Sequence, residues 1–181
     1  MSGEAATMAP AKDPFARDEA VMRLALVQAR LASEMGEVPV GAVVYRPLAD
    51  GGFEVLAAAH NLRESTADPA AHAELIAMRE AARKIGSWRL DGCEVAVTLE
   101  PCPMCAGLMV NARLARCVWG APDAKMGCAQ TLHQLLSEPR FNHRVAHTGG
   151  ILAHESAAEL QAFFKARRGG EKPEKPKVSA T

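Results

Sequence analysis

Aromatic residues are scarce in this chain, at 4% of 181 residues. A buried core must therefore come from small and branched aliphatic side chains, chiefly Ala, Leu, Val and Met. Net charge is missing too. The 21 basic and 21 acidic residues cancel, so bulk charge gives no argument for a polyanionic partner. No stretch approaches the roughly 18 consecutive apolar residues of a membrane span, so no membrane role is expected. The first residues lack the basic start and apolar run of a secretory leader. Five cysteines is an odd count, which argues against a disulfide framework without such a leader. A reducing cytoplasm is the expected location.

What is present is apolar and periodic. Hydrophobic residues make up 49% of the chain, which suits one globular domain with short tails. The reading is a tail over 1–16, a domain over 17–168 and a basic tail over 169–181. The spacing of Val21, Leu24, Ala25, Ala29 and Ala32 predicts a helix over 17–35, ended by Gly36. Strands are predicted over 38–45 and 53–59, joined by a turn through Pro47, Asp50, Gly51 and Gly52. A helix over 70–85, a strand over 94–99, a helix over 103–112 and a strand over 116–119 follow. A helix over 129–136, extended pieces at 143–147 and 151–152, and a helix over 155–168 complete the order. Helices alternate with strands, which predicts one sheet covered on both faces. The later strand–helix–strand units favour parallel pairing, since parallel neighbours need crossovers. The loop around 46–53 looks long and is expected far from any chemistry. From Lys165 onward six basic residues face two acidic ones. That local excess suits a polyanion, and equally suits an ordinary solvated tail.

The chemistry concentrates in His72-Ala73-Glu74 and, downstream, Pro101-Cys102-Pro103-Met104-Cys105. One His and two Cys can supply three zinc ligands, and a catalytic zinc keeps its fourth position for water. Cys102 and Cys105 lie three apart at the start of a predicted helix, so they share a face. A helix N-terminus also favours thiolates. Glu74 lies two residues past His72, poorly placed to be a fourth ligand but well placed to carry protons for an activated water. Alone, a C-x-x-C pair also fits a structural zinc or a redox site. Together, H-x-E…P-C-x-x-C is the recognised signature of zinc nucleobase deaminases.

Longer segments carry the likeness further. H-A-E at 72–74, T-L-E-P-C-P-M-C-A-G at 98–107, A-P-D-A-K at 121–125, F-N-H at 141–143 and F-F-K-A-R-R at 163–168 closely resemble the bacterial tRNA-specific adenosine deaminases. The resemblance runs over roughly 17–168. It implies a cytidine deaminase-like α/β/α sandwich of three layers around a mixed sheet of about five strands. It also implies one zinc per chain on His72, Cys102 and Cys105, with Glu74 as proton shuttle. Asn61 and the backbone at Ala73 would meet a flipped base. Asp123, Asn142, Phe164 and Arg168 would lie near a tRNA anticodon stem-loop bound by a homodimer. The reaction implied is hydrolysis of the wobble adenosine to inosine. Phe163 and Phe164 are adjacent on a helix and cannot face the same way, so one is free to meet RNA. Met126, Leu62 and Arg63 depart from the family pattern near the expected RNA face. Two other readings keep part of this pattern. A deaminase of free guanine or cytosine would keep every zinc residue but needs no basic C-terminal helix. A zinc module that only binds RNA would not need Glu74.

Overall fold

Alternation along the strands sets the architecture. The computed structural model describes residues 14–168 and Gly170, so most of both expected tails lies outside it. Strands β1 (Gly41–Pro47), β2 (Phe53–His60), β3 (Glu94–Leu99), β4 (Arg116–Ala121) and β5 (Ala146–Thr148) form one sheet in the order β2-β1-β3-β4-β5. Val43 and Tyr45 of β1, Ala96 of β3 and Val118 of β4 pack on one side with Val21, Met22 and Ala25 of helix α1 (Pro14–Glu34). Their neighbours Val44, Val95, Val97 and Cys117 pack on the other side. There they meet Ala77 and Met78 of α3 (Ala73–Ile85) and Ala106 and Met109 of α4 (Pro103–Asn111). Period-two alternation with both faces apolar is what a sheet between two helical layers requires.

β1 pairs antiparallel with β2 and β3, while β3–β4 and β4–β5 are parallel. The expected mixed sheet of five strands and three layers is therefore observed. Helix α5 (Ala153–Arg168) packs against β4 beside α1, and Arg30 pairs with Glu159 between them at 2.7 Å. At the edge where α1 begins, Arg116 makes two hydrogen bonds to Asp18, at 2.6 and 2.8 Å, and a third to Thr148. The Tyr45 hydroxyl donates to Glu94 at 2.7 Å, and Glu94 also faces Arg116. Asp18 and Glu94 are both buried, so this network ties α1 to β1, β3, β4 and β5. Opening one partner would strand a charge away from water, at about 3–5 kcal/mol.

Several boundaries differ from those the sequence predicts. α1 begins at Pro14, where a proline is well tolerated as a first helical residue. Residues 38–40 precede β1 rather than belonging to it, and α3 begins at Ala73 because the chain turns at Asp68–His72. The expected helix over 129–136 is absent. The N–H groups of Ala129, Gln130 and Thr131 donate to the Glu100 carboxylate, and those of Leu132 and Leu135 go to the Gly127 and Cys128 carbonyls, out of the i→i−4 register a helix needs. Only a single 3₁₀ turn, Leu135–Ser137, follows. The extended piece at 143–147 moves to Ala146–Thr148, and Ile151-Leu152 is a turn. A one-turn helix α2 (Arg63–Thr66) has no counterpart among the expected elements. The loop around 46–53 closes as a short turn, with Leu48 N–H donating to the Gly52 carbonyl at 2.9 Å.

α1 approaches β1 unusually closely. A Cβ on Gly41 would stand 2.0 Å from the Ala25 carbonyl oxygen and 2.6 Å from the Ala29 nitrogen. These are backbone atoms and cannot swing aside. Gly41→Ala should therefore destabilise the fold by about 1–3 kcal/mol, as overpacking does, read as a lower urea midpoint with unchanged slope.

Candidate active site

Two helix N-termini meet beside the sheet. His72 is the N-cap of α3 and Cys102 the N-cap of α4, both in extended backbone geometry (φ/ψ −78°/146° and −73°/172°). N-caps are usually Ser, Thr, Asp or Asn, whose oxygens bond back to the helix. Neither side chain does so here, and both turn toward a shared point. Cys105 is three residues past Cys102, at the N3 position. N-cap and N3 are the two positions that face each other in a capping box. The His72 Nδ1 lies 3.7 Å from each sulfur, and the ligand atoms of all three residues lie within 4.8 Å of one another. A tetrahedral ion with Zn–N and Zn–S bonds near 2.1 and 2.3 Å has N···S edges of about 3.6 Å. The donor set and its spacing fit such an ion.

The electrostatics agree. Hydrogen bonding from Cys105, with His72 adding to it, holds the Cys102 thiol down to about 4. The same interaction with Cys102, and then burial, push Cys105 strongly up. His72 is raised mainly through its hydrogen bond with Cys102. One thiolate, on Cys102, is thus favoured within the cluster, and the thiolate is the form that binds metal. Glu74, at the second position of α3, is 4% exposed, and burial pushes its carboxyl up.

A cavity of about 490 Å³ opens over this cluster, within the range of small-molecule sites. His72, Glu74 and Cys102 line it together with Asn61, Arg63 and Asp123. Val38, Val40, Leu99, Met104 and Met126 supply apolar surface. Asn61 is 5% exposed, and its Oδ1 accepts the Ala73 N–H at 3.0 Å. Ala73 itself is fully buried and bears on the cavity through Asn61. Arg63 and Met126 both face the cavity.

The remaining predicted residues lie elsewhere. Phe164 and Arg168 line a second concavity with Lys125, Leu160, Gln161 and Arg167. Phe163 is buried and Phe164 is 44% exposed, the division expected of the pair. Arg167 stacks over Phe163 at 4.8 Å and donates to the Gly36 carbonyl. Lys125 and Met126 are neighbours in the chain, so one segment borders both hollows. Asn142 lines neither, and its Oδ1 accepts from Arg113 at 2.9 Å.

Two buried carboxylates are not legible as site residues in the sequence. Glu37 accepts N–H bonds from Glu64 and Ser65 and the Ser65 hydroxyl, which caps α2 and fixes the Arg63 side of the cavity. Glu100 accepts four backbone N–H groups and the Thr131 hydroxyl. Burial pushes the Glu100 carboxyl up, but hydrogen bonds from Thr131, Gln130 and Asp123 outweigh this and hold it below the usual range. The available signal is an acidic residue closing a mostly apolar run, Val95–Leu99, two residues before the first cysteine of the pair.

The MafB19-like deaminase family matches residues 16–168. The tRNA-specific adenosine deaminase of Bacillus subtilis is 45% identical over 163 residues, covering 90% of this chain and 98% of that protein. The protein of the same name from Aquifex aeolicus is 41% identical, covering 83% of this chain and 95% of its own. A structure from a study of A-to-I editing by tRNA:A34 deaminases at the wobble position superposes with a TM-score of 0.71 and 40% identity. It covers 78% of this chain and 99% of its own. A guanine deaminase from Nitrosomonas europaea superposes at 0.65 with 25% identity, covering 88% of this chain and 87% of its own.

The cluster geometry makes a direct prediction. Protein stripped with a chelator and titrated with zinc against a chromophoric competitor should saturate at one ion per chain. Cys102→Ala and His72→Ala should each bring bound metal to background, while full occupancy in a Cys102→Ala, Cys105→Ala double variant would overturn the ligand set.

Proposed function

Because this chain belongs to the tRNA-specific adenosine deaminase family, we propose that it hydrolyses adenosine to inosine at the wobble position of a tRNA anticodon loop. The observation that carries the reading is the buried Glu74 carboxylate beside a His/Cys/Cys group, at a cavity large enough for one purine. His72, Cys102 and Cys105 would hold zinc. When bound, zinc supplies the Lewis acidity that brings a water's pKa toward neutrality and makes it a nucleophile. Glu74 takes the proton that water gives up as its oxygen adds to C6. The carboxyl, more basic than usual through burial, passes this proton to N1 of the purine. Glu74, a carboxylate again, then takes the remaining proton from the C6 hydroxyl and delivers it to the amino group, which leaves as ammonia while C6 keeps the oxygen as a carbonyl. Asn61, its amide plane held by the Ala73 N–H, orients the base against this line of transfer. Leu99, Val38 and Val40 form the apolar walls that exclude competing water.

An adenine inside an anticodon loop must be splayed out to enter such a cavity. The second hollow offers what a loop backbone and an unstacked base need: Lys125 and Arg168 for phosphate and Phe164 for stacking. A free-base enzyme needs no such surface, and the Nitrosomonas guanine deaminase is also the more distant relative, at 25% identity. Family resemblance further supports a homodimer, and exposed Met104 on α4 is an apolar side chain such an interface would cover. All five cysteines are free, which suits a reducing cytoplasm. Among the described residues no helix is long and apolar enough to cross a membrane.

Incubation with a tRNA carrying A34, followed by sequencing, should show that position read as guanosine, while free guanine and cytosine stay unchanged. Glu74→Gln keeps the size and polarity of the side chain but cannot shuttle a proton. It should retain zinc, fold and stem-loop affinity while turnover falls about 10²–10⁴-fold. Activity within a few-fold of wild type would remove Glu74 from the mechanism, and loss of zinc would make it a ligand. Deleting 165–181 removes the local positive excess. Affinity for an anticodon stem-loop should fall, and the slope of log K against log salt should flatten by about 0.7–0.9 for each phosphate no longer neutralised. Unchanged affinity and slope would assign the tail to solvent.

A further inference from the structure

Glu100 has no part in the proton transfers above, yet it is the most heavily hydrogen-bonded side chain at the cavity. Its Oε1 accepts the N–H groups of Ala129 (3.2 Å), Gln130 (2.7 Å) and Thr131 (2.8 Å). Its Oε2 accepts the Asp123 N–H (3.1 Å) and the Thr131 hydroxyl. An anion 2% exposed persists only where donors replace its lost hydration. Here every donor comes from one loop, 123–131. The loop also closes on the carboxylate sterically, since a Cβ on Gly127 would stand 2.3 Å from Oε2 and 2.6 Å from the Asp123 carbonyl oxygen.

That loop is a working surface. Asp123 and Met126 line the cavity and Lys125 lines the second hollow. The grip on Asp123 propagates, because its own carboxylate accepts the N–H groups of Lys125 (2.8 Å) and Met126 (3.2 Å). The other end of the tie is the metal-ligand segment. Glu100 is separated from Cys102 by one proline, its N–H donates to the Ala121 carbonyl, and the Pro101 carbonyl accepts the Cys128 N–H. A few adjacent bonds therefore register the 123–131 wall against the ligand at Cys102.

We propose that Glu100 is a positioning residue for substrate: it holds the 123–131 loop at a fixed distance from the metal-ligand helix, so that Asp123, Lys125 and Met126 meet the anticodon loop while the purine stands over Glu74. This rests on the activity proposed above. The role is directional. Glu100→Gln can still accept from 129–131 through its carbonyl oxygen, but its amide meets the Asp123 N–H donor to donor, so the Asp123 end should come free first. Gly127→Ala pushes the loop away by crowding Glu100 Oε2 and the Asp123 carbonyl, while every hydrogen-bonding group and every ligand residue keeps its identity. Thr131→Val removes one donor of five at constant size.

The test compares these three variants with wild type by zinc content, steady-state kinetics on an anticodon stem-loop, and amide hydrogen exchange across 123–131. The expected result is wild-type zinc and faster exchange confined to the loop. kcat/KM should fall on the order of 10²-fold, as misplacement remote from the chemistry does, and mainly through KM. Thr131→Val should move the same way by less. Unchanged loop exchange in Glu100→Gln and Gly127→Ala would overturn the proposal. So would zinc loss in proportion to the fall in activity, which would make Glu100 a support of the metal site. If wild-type protein makes no inosine in the stem-loop, the activity reading fails, while loop exchange at constant zinc still decides whether Glu100 holds the wall.

Discussion

Two helices starting at one place are what the rest of the molecule serves. A helix N-terminus presents free N–H groups and partial positive charge, and most proteins settle it with a hydroxyl or carboxylate cap worth about 0.5–2 kcal/mol. Here α3 and α4 begin with His72 and Cys102, which give up that role and point at each other. The positive ends of both helices then favour the thiolates that a cation requires. The sheet makes the convergence possible, because α3 packs on β2 and β1, α4 shares the same apolar core beside it, and both deliver their first residues to one place. The Arg116–Asp18–Glu94 network sits where α1 begins and ties that helix to the sheet.

The parts of this arrangement that a linear reading can reach are those with local periodic causes. Period-two runs expose β1 through β4, and the H-x-E and P-C-x-x-C spacings expose the cluster, because N-cap and N3 positions are set within one helical turn. The error over 129–136 has the opposite character. Those residues carry an ordinary helical composition, but their backbone donors go to Glu100, about 30 residues earlier in the chain. No local pattern encodes that bond. α2 is invisible for the same reason, since its cap is Glu37 and not a residue beside it. Phe163 and Phe164 show the intermediate case. Adjacency dictates that they diverge, but only packing chooses which one is buried.

Glu37 and Glu100 form a matched pair in this respect. Each is almost completely buried, each gathers successive backbone N–H groups, and each fixes one wall of the cavity, at Arg63 and at Asp123–Met126. These two walls also carry Arg63 and Met126, which line the cavity. The anchoring carboxylates and the wall side chains are thus separable. Side chains on the wall can change what enters while the carboxylates behind keep the wall in place, whereas the ligand cluster and Glu74 have no such freedom.

The hairpin turn at Leu48–Gly52 has a consequence of another kind. Gly41 pairs with His60 next to the cavity residues Val40 and Asn61, and Pro47 pairs with Phe53 at the far end of the same ladder. Six residue steps put about 20 Å of paired strand between the turn and the chemistry. Loop-closure cost grows only logarithmically with length, so extra residues at this tip would cost little and perturb nothing that handles substrate. The tip is therefore a natural attachment point, where a fused domain, a fluorophore or a surface tether could be carried on the edge of the sheet while the enzyme turns over behind it.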